Sequence, residues 1–124
     1  MKADKLVWAG RVMTALTAPL FLLGVYMIFT GDPQVTAGMA KYGWPPETVK
    51  TIGWLELLCL VLYLVPRTSV LGAAALTGYL GGAVATHLRA QEPVVMPVVV
   101  GVWVWAGIWL REPRLRALMP LRGR

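Results

Sequence analysis

The chain has 124 residues, 57% hydrophobic and only 15% charged, with a net charge of +6, whereas an ordinary soluble domain is roughly a quarter charged. That length holds one domain, and the composition excludes a disordered chain or a soluble catalytic domain beside the apolar segments. The basic residues flank apolar blocks instead of forming a stripe interleaved with exposed aromatics, so they read as topology signals and contacts to anionic lipid, with no nucleic-acid partner.

Residues 12–31, 51–66, 68–88 and 93–110 form four blocks almost free of charge. A helix of about 20 apolar residues crosses the bilayer hydrocarbon. The expected fold class is therefore all-α: a four-transmembrane-helix antiparallel bundle, one integral membrane domain, with spans near 12–29, 50–66, 69–88 and 94–110.

Lys2, Lys5 and Arg11 precede the first block. The apolar core of a cleaved signal is about 7–15 residues long; this block is longer and reads as a retained span. Pro19 should bend it, with Thr14 and Thr17 placed to satisfy nearby backbone groups. The long connection, residues 30–46, is punctuated by Gly31-Asp32-Pro33 and Trp44-Pro45-Pro46, and its middle, 35–42, suits a short interfacial helix.

Span two carries Glu56, six residues beyond Lys50, or about 9 Å along a helix. A carboxyl at that depth costs several kcal/mol unless it faces protein or trapped water. Gly53, Leu60 and Tyr63 share its face. Cys59 reads as a packing residue, since a lone cysteine makes no internal disulfide. Pro66-Arg67 leaves only a tight hairpin before span three.

Span three carries a ridge of small residues, Ala74, Gly78, Gly82 and Thr86, widened by Gly81 and Ala85. Such a ridge lets helices approach closely. Packing within the chain is the plain expectation, and self-association through span three the alternative. His87 and Arg89 end this span. Span four follows after residues 90–92, with Trp103 and Trp105 deep inside it, facing either lipid or gaps between helices. Trp8, Trp44, Trp54 and Trp109 lie near block ends, as interfacial anchors do.

Four spans put Lys2, Lys5, Arg11, Arg67, Arg111, Arg114, Arg116, Arg122 and Arg124 on one side and Lys41, Lys50 and Arg89 on the other, nine against three. Cytoplasmic loops collect Lys and Arg, so both termini are expected in the cytoplasm. Glu56 and His87 then share the outer half of the bilayer, close enough for a contact made directly or through one water. Trp54, Arg89, Thr51 and Gln91 lie near that level under the 30–46 loop, and Tyr63 and Tyr79 offer rings for stacking. The plainer alternative leaves His87 solvated and Glu56 bonded to a neighbouring helix. Two converging ligands are too few for a metal site, so none is expected.

The ordered set Gly53-Trp54-Leu55-Glu56-Leu57, Val65-Pro66-Arg67, Leu71-Gly72-Ala73, Gly81-Gly82-Ala83 and Thr86-His87-Leu88 resembles the DoxX-like membrane proteins, with Gly43 before span two in agreement. The resemblance implies a four-helix protein of a bacterial-type inner membrane, with Glu56 and His87 at the polar positions of the family pattern. Some relatives are small subunits of a thiosulfate:quinone oxidoreductase, and others belong to membrane oxidoreductase or redox-stress complexes. Three functions follow. The first is an accessory or binding subunit that docks a membrane redox partner and holds a quinone. The second is a small oligomeric proton-linked transporter. The third is a quinone- or sulfur-compound oxidoreductase subunit; the chain supplies no electron carrier, so it is not expected to be an enzyme on its own.

Overall fold

A computed structural model of the protein describes residues 2–123. Among these there is no strand. The elements are α1 (Lys2–Thr30), α2 (Pro33–Lys41), α3 (Pro46–Leu64), a 3₁₀ turn (Pro66–Thr68), α4 (Ser69–Arg89), α5 (Val95–Arg111) and α6 (Pro113–Arg116). Arg124, one of the basic residues in the topology count, lies outside the described residues.

The helices overrun their apolar blocks because backbone bonding needs no apolar side chain. Helix α1 has 29 residues, about 44 Å at 1.5 Å each, and continues through Pro19. In the long connection, Asp32 caps α2 by accepting from the Gln34 amide at 2.9 Å, and Pro33 occupies the first helical position, where its missing donor costs nothing. Pro46 starts α3 in the same way. The α3–α4 hairpin closes through side chains: the Thr68 hydroxyl donates to the Leu62 carbonyl at 2.8 Å and the Ser69 hydroxyl to the Val65 carbonyl at 2.9 Å.

The four long helices pack in a ring, α1 against α3 and α5, and α4 against α3 and α5. Phe21, Leu60, Tyr63, Ala73, Leu76, Leu80, Val104 and Ile108 fill the middle. The outside is equally apolar: Leu16, Leu20, Leu23, Leu58, Leu71, Met96, Val99 and Val102 are all exposed. Two helical stretches, Asp4–Thr30 and Pro66–Arg89, are long and apolar enough to cross a membrane, and Val95–Arg111 is a shorter apolar helix. Only 28% of the apolar window is buried in each of the two long stretches, unlike the core helix of a soluble protein.

The close helix contact expected at Ala74, Gly78, Gly82 and Thr86 is not where the chain makes it. A Cβ added at Gly78, Gly81 or Gly82 would meet open space. Gly72 makes the contact instead, since a Cβ there would run into the backbone of Leu62 and Tyr63. The physical reason is the tight hairpin: helix axes are nearest just after a three-residue turn, and the ridge lies farther along. Gly10 has the same role between α1 and α5, where a Cβ would sit 2.6 Å from the Gly107 carbonyl. Trp103 and Trp105 tie helices together: their indole N–H groups donate to Thr17 Oγ1 at 3.0 Å and Thr77 Oγ1 at 2.6 Å. Thr17 in turn bonds the Met13 carbonyl at 2.8 Å.

Candidate functional site

At the end of the ring that carries α2, two cavities meet. The inner one, about 210 Å³, is lined by Leu20, Phe21, Glu56, Tyr79, His87 and Pro97, among others. The outer one, about 280 Å³, lies under the first connection, with Tyr42 and Trp44 above and the Gly78/Gly82 ridge as its floor. The ridge glycines thus leave room for a cavity rather than for a neighbouring helix. Tyr79 and His87 line both cavities and stand between them.

Glu56 is 6% exposed. Its carboxyl enters the ring because α1 offers Gly24 opposite; a Cβ at that position would come within 3.1 Å of Oε1. The Tyr79 hydroxyl donates to Oε2 at 3.0 Å. Among the described residues the ion pairs are Lys41–Glu92 and Arg114–Glu112, and none reaches Glu56. A buried carboxyl whose one hydrogen-bond partner is neutral is expensive and points to polar company within the cavity.

His87 is held from two sides. Its Nδ1 donates to the Ala83 carbonyl at 2.7 Å, which leaves Nε2 as the acceptor of the neutral ring. Nε2 lies 3.5 Å from the Tyr42 hydroxyl. That hydroxyl donates to Glu92 at 2.8 Å, and Glu92 also pairs with Lys41. The pairing holds the Glu92 carboxyl below, and Lys41 above, their ordinary values; the bond to Glu92 likewise raises the Tyr42 phenol. Hydrogen bonds therefore link Lys41, Glu92 and Tyr42, whose one hydroxyl proton goes to Glu92, and the Tyr42 ring packs on His87 at the cavity wall with centroids 5.2 Å apart.

The structure brings together Glu56, Tyr79 and His87 and leaves the other expected site residues elsewhere. No hydrogen bond joins Glu56 to His87; Tyr79 takes the carboxyl and the Ala83 carbonyl takes the imidazole N–H, so the two meet only across the shared cavity. Tyr63 is 0% exposed, its hydroxyl donating to the Val104 carbonyl at 2.7 Å and its ring under the Arg111 guanidinium. Trp54 is 63% exposed and stacks edge-on with Phe29, with centroids 5.0 Å apart. Arg89 donates to the Tyr42 carbonyl at 2.5 Å, beside Gly43, whose φ of +84° suits glycine. It fastens the first connection instead of lining the cavity.

Tyr42, Glu92, Lys41 and Gly24 escaped the sequence reading. Opposite charges on the two connections of one side, Lys41 and Glu92, were a signal that could have paired these loops. Nothing local marks Gly24, whose partner lies on another helix.

A ring of helices with an apolar exterior and a buried carboxyl beside a small cavity defines an integral membrane protein. The model of the DoxX-like family matches residues 12–107, and the chain belongs to that family. No curated protein and no solved structure matches it.

Proposed function

We propose that the protein is a four-span bundle of a bacterial-type inner membrane, with both termini in the cytoplasm, acting as an accessory or binding subunit in a quinone-linked redox setting. The carrying observation is Glu56: a buried carboxyl, hydrogen-bonded among the described residues by Tyr79 alone, on the wall of a cavity shared with His87. A protonated Glu56 carboxyl can donate one hydrogen bond while it accepts the one from Tyr79, and the Nε2 of a neutral His87 can accept one; a compact ring carrying a carbonyl and a hydroxyl, as quinones and their reduced forms do, fits that set. The apolar remainder of the wall, Leu20, Phe21, Leu80, Met96, Pro97 and Val100, suits the faces of such a ring. The basic residues at the opposite end of the ring, Arg11 and Arg111 among them, support the orientation. The transporter alternative has less support, because α1 runs unbroken through Pro19 and broken spans are the usual mark of such sites.

The test is purification of the full chain in mild detergent, with mass analysis of what travels with it, repeated on Glu56→Gln and Tyr79→Phe. A quinone or a redox subunit carried by the native chain, with the quinone lost from both variants, is expected. A preparation free of both, from membranes that contain quinone, refutes the reading.

A further inference from the structure

At the end of the ring opposite α2 lies a separate cavity of about 220 Å³, lined by Arg11, Ser69, Val70, Ile108, Arg111 and Glu112 among others. It gathers two arginines because α1 and α5 nearly touch there. A Cβ at Gly10 would lie 2.6 Å from the Gly107 carbonyl and 2.7 Å from the Arg111 amide nitrogen, so the next residue, Arg11, shares a wall with Arg111. Like charges on so small a wall repel, and the protein does little to offset them. The Arg11 side chain makes no hydrogen bond or ion pair among the described residues. Arg111 gives one N–H to the Tyr63 carbonyl at 3.2 Å and lays its guanidinium over the Tyr63 ring, 5.4 Å from the centroid. Its Nε is buried without a partner. Glu112 is the one carboxylate on the wall, and its Oε1 is taken by the Arg114 amide at 3.3 Å and guanidinium at 3.2 Å. Helix α4 also begins on this wall, at Ser69, and a helix N-terminus adds partial positive charge.

We infer that this cavity binds the phosphate group of an anionic membrane lipid, held between the Arg11 and Arg111 guanidinium groups. A phosphodiester brings the missing negative charge, and its two free oxygens match the planar donor fork of arginine. Arg111 is already fixed by Tyr63, and Arg11, bonded to nothing in the protein, closes on the anion from α1. The level decides between a lipid and a free ion of the same chemistry. Arg11 immediately precedes the charge-free residues 12–31, and Arg111 immediately follows 93–110. The cavity therefore stands where the apolar exterior ends, the height of lipid headgroups, and the exposed Val70 brings apolar surface to its wall. Basic pockets between spans take such heads. The site is remote from Glu56 and independent of the quinone reading.

The test titrates the full chain in maltoside micelles with dioleoyl-phosphatidylglycerol and, separately, with dioleoyl-phosphatidylcholine, and reads bound lipid by native mass spectrometry. Phosphatidylglycerol should bind more tightly, because choline cancels the charge of the other head. Arg11→Gln should weaken phosphatidylglycerol about tenfold, the loss of a hydrogen bond to a charged group. Arg122→Gln removes the same charge from an exposed residue outside the cavity and should leave the affinity unchanged. Since Arg11 has no protein partner, Arg11→Gln should melt with the native chain in lipid-free micelles; added phosphatidylglycerol should then raise the native melt more than that of the variant. Equal weakening by Arg11→Gln and Arg122→Gln would show diffuse attraction to a basic end and overturn the site. Equal affinity for the two lipids would overturn it as well. Inorganic phosphate that displaces phosphatidylglycerol at equal concentration, with ionic strength held by chloride, would assign the cavity to a soluble anion and overturn the lipid.

Discussion

Two one-methyl substitutions on the same helix should differ by about 4 kcal/mol. At Gly72 an added Cβ runs into the main chain of Leu62 and Tyr63. Backbone cannot swing aside as a side-chain tip can, and the turn Pro66–Thr68, a few residues away, prevents α4 from backing off. Overpacking costs about 1–3 kcal/mol, and contact with backbone puts Gly72→Ala near the top of that range. At Gly82 the same methyl meets open space, so Gly82→Ala should gain the usual helix advantage of alanine over glycine, about 0.5–1 kcal/mol. Cys59 is the chain's single cysteine and is only partly accessible, so a thiol-reactive dye that fluoresces on reaction reports unfolding in detergent. Gly72→Ala should melt well below the native chain and Gly82→Ala at or slightly above it. Equal melting of Gly72→Ala and the native protein, or a fall for Gly82→Ala alone, would refute the assignment of the close contact to Gly72.

Tyr63→Phe removes the donor to the Val104 carbonyl while keeping the packed ring, and should cost about 1 kcal/mol; an unchanged melt would show that this bond contributes nothing. The Lys41–Glu92 pair should hold the first connection over a defined pH window. Glu92 is depressed, so its contribution is present above the ordinary carboxylate value and lost as pH falls through the lowered one; Lys41 is raised, so its contribution is present below the ordinary lysine value and lost as pH rises through the raised one. A nitroxide at Ala37→Cys in a Cys59→Ala background should gain mobility at both extremes, and Glu92→Gln should show that mobility at neutral pH. Cysteines at Ala37 and Gly123 should label from opposite faces of sealed vesicles, with 123 cytoplasmic; labelling from one face defeats the four-span topology.

The order and type of the elements were legible in the sequence because charge-poor blocks and proline punctuation are local signals. Pro33 and Pro46 mark helix starts by their own missing donors. The partner of Glu56 was not legible. Tyr79 and His87 stand about 12 Å apart along α4, yet both line the cavity that Glu56 enters, and which of them meets the carboxyl depends on helix rotation. That rotation follows from contacts far apart in sequence, Gly10 on Gly107 and Gly24 facing Glu56, together with the hairpin contact of Gly72 on Tyr63. A run of small residues states only that close approach is permitted. In this chain the hairpin turn draws α4 onto α3 at Gly72, and Gly78 and Gly82, on another face, are left to form the floor of a cavity.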